Sequence, residues 1–281
     1  MLIIRFFSSI GPSAGCIEAI TRVSELVKDP AFNTKYRFTL GEDYTHAVII
    51  NTAMPALTIP KENVIGLAFE PLVFLYLTQQ FVEYAQKHIG KYLIGEKKNL
   101  PPPFIEHFAY MWHITPLTEV PVKTKRMSIM VSHKMLTPGH QYRHTLCKRI
   151  LNSYLPIDIY GNGCKYYKNS MDMRLKGEFT DNEPYENYRF HIAIENGVTP
   201  HYFSEKIMNT LLCQTTPIYL GCQNIDQYFP NSVLTLTGDI EQDMILLKDI
   251  CLYPERYEKT IDVNKVKKTI NFSNVVDLFA K

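Results

Sequence analysis

The stretch Tyr188–Cys222, with the sequence YRFHIAIENGVTPHYFSEKIMNTLLCQTTPIYLGC, decides which fold the chain is expected to adopt. Its segment Phe190–Ile194 is a short apolar run, typical of a strand buried in a parallel sheet. A polar loop and a segment with the apolar spacing of a helix follow, and Pro217–Leu220 has the composition of a second strand. The stretch therefore predicts a strand–loop–helix–strand unit. Ligands of such units bind at the carboxyl ends of the strands, which is where the loop Glu195–His201 lies.

The alternation of strand and helix patterns continues on both sides of this stretch. A polar, proline-containing segment, Pro116–Arg126, separates two halves that both alternate. We therefore predict two Rossmann-like α/β/α domains, each with a parallel sheet covered by helices, that face a cleft. The expected domains are residues 1–118 and residues 126–262. The tail 263–281 is expected to be partly helical and to pack back on the first domain.

Within these domains the apolar runs and spacings predict individual elements. The predicted strands are 2–7, 47–51, 64–68, 91–95, 127–131, 157–160, 190–194, 217–220 and 233–236. The predicted helices are 16–27, 72–88, 142–151, one that begins near Ser204, and 240–251.

Composition and charge exclude several classes of protein. With 281 residues, 46% of them hydrophobic, the chain can bury a full core and is not disordered. A net charge of +2 gives no electrostatic reason to expect nucleic acid as a partner. No window reaches about 18 uninterrupted apolar residues, so no membrane span is expected. The six cysteines have no C-x-x-C spacing, which argues against zinc and favours reduced thiols in a soluble, cytoplasmic protein.

Candidate functional side chains lie where the central loop meets the following helix. Glu195, Glu205 and Lys206 place two carboxylates and one amine between a strand end and a helix start. Ser204 is a favourable N-cap residue, and a helix N-terminus that carries a lysine suits a phosphate. The same pattern is also typical of a capped surface helix with a solvated Glu–Lys pair. The pattern alone leaves both interpretations open.

The fixed spacings across this stretch resemble those of a known family. E-N-x-x-x-x-x-Y-x-x-E-K at 195–206, followed by P-I-Y-x-G at 217–221, resembles the hallmark of the α-1,3-fucosyltransferases, family 10 of the glycosyltransferases. The resemblance is strong over 127–229 and much weaker before Pro116. It implies a GT-B fold and the transfer of L-fucose from GDP-fucose, with inversion, to a hydroxyl group of a glycan acceptor.

The resemblance also implies roles for individual residues. Glu205 would lie beside the donor sugar and stabilise its oxocarbenium character, and Lys206 would neutralise the pyrophosphate. Arg143 resembles the family arginine that grips the diphosphate, for which the forked guanidinium is well suited. From its pattern alone, Arg143 is equally an exposed arginine on a helix. The remaining residues implied to bind the donor are Glu195, Asn196 and Tyr202.

Inverting transfer also needs a general base that takes the proton of the acceptor hydroxyl. The resemblance indicates Glu70, which ends a predicted strand in the sequence Phe69-Glu70-Pro71 of the first domain. The alternative is that Glu70 caps the next helix. The other candidates for the base are Glu106, His107 and His113.

The sequence contains no D-x-D triplet, which a metal-dependent sugar transferase of the other common fold would usually need. We therefore expect no essential metal and no cofactor beyond the nucleotide-sugar, with cationic side chains stabilising the leaving diphosphate. The loop Gly197–His201 departs from the usual family sequence, which leaves another donor such as UDP-xylose open. A non-catalytic glycan- or nucleotide-binding protein remains an alternative. A nucleotide-sugar epimerase is another, although its complete glycine fingerprint is absent.

Overall fold

The computed structural model describes residues 1–111, 121–180 and 182–279. The candidate base His113, the predicted boundary at residue 118 and part of the segment 116–126 lie outside the described residues. The described residues form two compact units. The first unit comprises 1–111, 199–204 and 267–279, and the second comprises 121–180, 182–198 and 205–266.

Strands and helices alternate along the chain. The strands are β1 (Leu2–Ser8), β2 (Tyr36–Phe38), β3 (His46–Ile50), β4 (Val64–Leu67), β5 (Lys91–Ile94), β6 (Phe104–Glu106), β7 (Lys125–Met130), β8 (Ile157–Tyr160), β9 (Leu175–Gly177), β10 (Tyr188–Ile194), β11 (Thr216–Leu220) and β12 (Leu234–Thr235). The α-helices are α1 (Ser13–Leu26), α2 (Leu72–Leu75), α3 (Gln79–His88), α4 (Pro138–Leu151), α5 (Glu205–Leu212), α6 (Ile225–Tyr228), α7 (Ile240–Leu252), α8 (Val263–Ile270) and α9 (Ser273–Phe279). Short 3-10 helices lie at Lys61–Asn63, Asn162–Ser170 and Pro254–Arg256.

The first unit contains a six-stranded sheet in the order β2-β1-β3-β4-β5-β6, and every neighbouring pair is parallel. Its inner strands are buried on both faces, as their continuous apolar sequences predict. One core cluster includes Phe6, Val48 and Leu93, and the C-terminal residues Phe272 and Val275 pack into the same cluster.

The second unit contains another six-stranded parallel sheet, in the order β12-β11-β10-β7-β8-β9. Strand β10, the first strand of the opening stretch, lies between β7 and β11 near the middle of this sheet. The core beside it includes Met127, Ile192, Ile218 and Leu247. Because β10 and β11 are parallel neighbours, their carboxyl ends meet at one edge of the sheet and position the loop that follows Ile194.

Three predicted helices differ from the structure. Helix α1 begins at Ser13, three residues before the predicted start at Cys16. The continuous helix 72–88 is wrong, because Tyr76 adopts a left-handed conformation (φ 50°) and ends α2. The Thr78 side chain then accepts a hydrogen bond from the Phe81 N–H and begins α3. Helix α4 begins at Pro138, four residues before the predicted start at Tyr142. No helix among the described residues combines the length and the apolarity that crossing a bilayer would require.

Candidate functional site

The carboxyl end of β10 carries a buried carboxylate that is paired with a lysine. The Glu195 side chain is fully buried, and its Oε2 lies 3.3 Å from Lys206 Nζ. The Glu195 N–H donates to the Leu220 carbonyl oxygen at 2.8 Å and extends the pairing of β10 with β11. Lys206 Nζ also lies 3.2 Å from Glu205 Oε1, and the Glu205 side chain is 39% exposed. The structure therefore brings together the two carboxylates and the amine that the sequence singled out.

The charge state of Lys206 follows from these neighbours. Burial lowers its pKa, but the carboxylates of Glu205 and Glu195 outweigh both burial and the repulsion from Arg143, so that the pKa is raised above its usual value. Lys206 is therefore an ammonium ion at neutral pH. Its side chain is 14% exposed, so the ammonium is fixed in place by the two carboxylates.

The second half of the motif explains how Glu195 is held. The Tyr219 hydroxyl donates to Glu195 Oε1 at 3.4 Å, and the Cys222 N–H donates to the Tyr219 hydroxyl oxygen at 2.9 Å. A Cβ atom at Gly221 would lie 2.4 Å from both Glu195 Cγ and the Tyr219 hydroxyl oxygen. The tyrosine of P-I-Y-x-G therefore holds the Glu195 carboxylate beside Lys206 through a hydrogen bond, and the glycine leaves space for the Glu195 side chain.

Arg143 of α4 contacts Asn196, the residue that directly follows Glu195. Arg143 Nη2 donates to Asn196 Oδ1 at 2.9 Å, and Arg143 Nε donates to the Gly139 carbonyl oxygen at 3.1 Å. Arg143 is only 6% exposed, so the structure excludes the alternative of an exposed helix arginine. The Gly139 N–H donates to the Asn196 carbonyl oxygen at 3.2 Å and joins the start of α4 to the loop after β10.

This junction depends on the absence of a side chain at Gly139. A Cβ atom at this position would lie 1.8 Å from the Glu195 carbonyl oxygen and 3.0 Å from the Asn196 carbonyl carbon. Both contacts are with backbone atoms, which cannot move aside as a flexible side chain can. The glycine therefore permits the contact that keeps Arg143 beside Asn196.

His140, which the sequence analysis missed, lies between Gly139 and Arg143 on the first turn of α4. It forms a capping box with Thr137, in which the His140 N–H donates to the Thr137 hydroxyl oxygen at 3.2 Å. The signal for it in the sequence is the spacing of three residues between Thr137 and His140, although capping boxes normally use Glu or Gln at the second position.

Tyr202 belongs to the first unit, whereas Glu195 and Lys206 belong to the second. Its side chain is 4% exposed and belongs to the core cluster that contains Leu93 and Met111. The next residue, Phe203, stacks on Phe108 with the ring centroids 3.9 Å apart. The motif therefore contributes residues to both units, since 199–204 belongs to the first and Glu205 returns to the second.

The candidate bases in the first unit differ in their surroundings. Glu70 follows β4 and is half-buried. The N-cap residue of α2 is Pro71, so Glu70 does not occupy the capping position. Glu106 Oε2 accepts a hydrogen bond from the Lys97 N–H at 3.0 Å, and its Oε1 lies 3.9 Å from His201 Nε2. The His107 ring donates to the Phe108 carbonyl oxygen at 2.7 Å.

Over residues 1–111, 121–180 and 182–279, no three His, Cys, Asp or Glu side chains are grouped so that they could hold an ion.

Comparison with known families identifies the part of the chain that carries this cluster. Residues 120–242 match the family described as glycosyltransferase family 10 (fucosyltransferase), C-terminal part. The matched residues include the Glu195–Lys206 pair and lie largely in the second unit. This match confirms the resemblance that the spacing from Glu195 to Gly221 indicated.

Segments of this chain are also similar to proteins that are named as fucosyltransferases. GDP-fucose protein O-fucosyltransferase 3 of Xenopus laevis is 26% identical over 113 residues, which are 39% of this chain and 23% of that protein. Alpha-(1,3)-fucosyltransferase B of Drosophila melanogaster is 33% identical over 89 residues, which are 29% of this chain and 20% of that protein. The chain thus covers about a quarter or less of these two relatives.

Solved structures establish the fold over the whole chain. An α1,3-fucosyltransferase in complex with GDP-fucose superimposes with a TM-score of 0.57 at 12% identity and covers 100% of this chain and 90% of its own. The Anabaena protein HepE in complex with UDP-glucose superimposes with a TM-score of 0.62 at 11% identity and covers 99% of both chains. Together with the two parallel sheets, these neighbours confirm the predicted GT-B-type fold with two Rossmann-like domains.

Proposed function

We propose that this protein is a glycosyltransferase that moves a sugar from a nucleotide diphosphate to a hydroxyl group of a glycan. The observation that carries the proposal is the ammonium group of Lys206, which Glu195 and Glu205 hold in place within the family 10 motif. A lysine whose pKa is raised and whose side chain is largely buried is suited to a diphosphate, because the charge is present at neutral pH and is only weakly screened.

The proposed reaction is a single displacement with inversion at the anomeric carbon. Glu70 accepts the proton of the acceptor hydroxyl, whose oxygen forms the new bond as the bond from the anomeric carbon to the phosphate oxygen breaks. Glu205 lies beside the sugar and stabilises the positive charge that develops on its ring. Lys206 and Arg143 neutralise the negative charge that accumulates on the leaving diphosphate.

In this proposal the leaving diphosphate needs no metal ion. The cationic side chains supply the charge stabilisation that a metal would otherwise provide. The amide of Asn196 orients Arg143, and Glu195 positions Lys206 without contacting the ligand, since its own carboxylate is fully buried. The donor-binding contribution of Glu195 is therefore indirect.

We propose L-fucose from GDP-fucose as the first choice of donor. This choice is supported by the family 10 match and by fucosyltransferase names among the relatives. A UDP-linked sugar such as UDP-xylose is the second candidate. It is supported by the departure of 197–201 from the usual family sequence and by the fold shared with HepE, a protein solved in complex with UDP-glucose.

The test is calorimetric titration of the protein with GDP-fucose, UDP-xylose, UDP-glucose and UDP-galactose, followed by a transfer assay with the donor that binds. We expect one donor to bind clearly, and the transfer rate to persist in the presence of EDTA. Retention of full transfer by both Glu70→Gln and Glu205→Gln would refute the catalytic assignment. Glu25→Gln is the matched control, because Glu25 is an exposed carboxylate on α1 with no role in the proposal.

A further inference from the structure

The hydrogen bonds of His140 fix which of its ring nitrogens carries a proton. The Thr137 N–H lies 3.2 Å from His140 Nδ1, and the Thr137 hydroxyl oxygen lies 2.8 Å from the same nitrogen. A backbone N–H group can only donate, so Nδ1 accepts and carries no proton. The neutral ring therefore carries its proton on Nε2.

The Nε2–H group is a donor without a partner in the described part of the chain, where the hydrogen bonds of His140 all go to Thr137. His140 as a whole is 7% exposed. Its Nε2 atom has no hydrogen-bond partner among the described residues but is not fully buried, so this nitrogen keeps access to solvent. A ring that is more than nine-tenths buried thus presents one N–H group outward.

The surroundings of this N–H group are cationic. Burial, together with the charges of Arg143, Lys134 and Lys206 and the ring of His144, lowers the pKa of His140 to about 4. The ring is therefore neutral at physiological pH. A neutral N–H donor beside three cations is suited to an anion, because the anion accepts from the donor and is attracted by the neighbouring charges.

The backbone places this donor beside the diphosphate-binding residues proposed above. Gly139 packs against the Glu195 carbonyl group, and Arg143 on the next turn of α4 donates to Asn196. His140 lies between Gly139 and Arg143 in this junction. The first turn of α4 also lies at the positive end of the helix dipole, which favours a nearby anion.

We infer that His140 is a further donor-binding residue, whose Nε2–H donates a hydrogen bond to the diphosphate of the nucleotide-sugar beside Arg143 and Lys206. The inference rests on the proposed function, since it assigns a residue to the same site. The family hallmark at 195–206 and 217–221 does not include His140, and Arg143 was the residue of α4 that the resemblance indicated. The contribution of His140 is a neutral donor whose ring is held in place by its hydrogen bonds to Thr137.

Two substitutions separate this contact from the capping role of the ring. His140→Asn keeps an acceptor near the position of Nδ1, so it preserves the cap, but it is too short to place a donor at the position of Nε2. His140→Gln places an amide donor near Nε2 but gives up the cap. The experiment titrates the wild type and both variants with GDP, UDP, guanosine and uridine, and records the thermal unfolding of each.

We expect His140→Asn to bind the preferred nucleotide diphosphate about tenfold more weakly or worse than the wild type, with its unfolding temperature nearly unchanged. We expect His140→Gln to keep the diphosphate affinity within about threefold and to lose stability. The affinity for the matching nucleoside should stay the same in all three proteins, since it has no diphosphate.

The outcomes distinguish the inference from the proposed function. If the wild type binds GDP or UDP and His140→Asn binds it equally well, the inference is overturned and the proposed function stands. If both variants lose affinity in proportion to their loss of stability, His140 acts only through the fold and the inference is again overturned. If the wild type binds neither nucleotide, the proposed function fails and the inference fails with it.

Discussion

Gly139→Ala is expected to destabilise the protein, although it replaces a glycine inside a helix. In an ordinary helix the change would stabilise the folded state by about 0.5–1 kcal/mol. At residue 139 the new methyl group would lie 1.8 Å from the Glu195 carbonyl oxygen, so the start of α4 must move away from the end of β10. Overpacking of this kind costs about 1–3 kcal/mol, and we expect that cost to exceed the gain in helix propensity.

The matched control is Gly15→Ala, which lies on the first turn of α1. A Cβ atom there would meet only Pro12 Cγ, at 3.9 Å. Urea unfolding followed by circular dichroism should show a lower free energy of unfolding for Gly139→Ala, and an equal or higher one for Gly15→Ala. Nucleotide affinity should fall only in Gly139→Ala, because Arg143 moves away from Asn196. If both variants are equally stabilised, the close contact at Gly139 does not exist and the reasoning is refuted.

Three further predictions concern the base, the motif glycine and the effect of pH. Glu70→Gln should lower kcat of the transfer assay by about 10²–10⁴-fold with donor affinity unchanged by calorimetry, and an unchanged kcat would remove Glu70 as the base. Gly221→Ala should lower the free energy of unfolding by about 1–3 kcal/mol, because its methyl group would lie 2.4 Å from Glu195 Cγ, and a stabilised variant would contradict the packing described. Burial lowers the pKa of His191 to about 3, and burial with neighbouring cations lowers that of His140 to about 4. Both rings are therefore neutral in the folded state, and their contribution to the free energy of unfolding is complete above about pH 6.5. Below that pH, each ring should lower the free energy of unfolding by up to about 1.4 kcal/mol per pH unit, until the pH reaches the lowered pKa of the folded state. Urea unfolding at pH 7.0, 5.5 and 4.5 measures this loss, and a constant free energy of unfolding would refute it.

The sheets were predictable because their strands are buried on both faces. Continuous apolar runs such as Val64–Leu67 and residues 47–50 have no solvent-facing side whose polar residues would interrupt the signal. Three strands escaped prediction, namely β2, β6 and β9, each of three residues. Each lies at the edge of its sheet, where a short strand is held by a single neighbour and its sequence carries little periodicity.

The site could be predicted where the fixed spacing of the motif brings residues together. It could not be predicted where packing between distant parts of the chain determines the position of a residue. The Glu195–Lys206 pair follows from β10 and α5 being consecutive elements, so the motif itself brings the two residues together. His140 was missed because its position depends on Gly139 packing against Glu195, 56 residues later in the sequence. The Pro138–Gly139 dipeptide indicates a turn rather than a first helical turn, which hid the true start of α4.

The burial of Tyr202 could not be predicted from the sequence either. Its spacing within the motif indicates a common site with Glu205, three residues later. The structure buries Tyr202 in the core of the first unit with Leu93 and Met111, a burial that the motif spacing does not indicate. An apolar cluster that draws residues from distant parts of the chain leaves no periodic signal in a loop.

Titration of Lys206→Ala with GDP-fucose shows whether Lys206 binds the diphosphate of a nucleotide-sugar. We predict that GDP-fucose binds at least about tenfold more weakly than to the wild type, with guanosine affinity unchanged, because the diphosphate loses a charge-assisted partner. Lys248→Ala, which removes an exposed lysine from α7 of the same unit, should bind GDP-fucose as the wild type does. Wild-type affinity for GDP-fucose in a folded Lys206→Ala variant would contradict the claim.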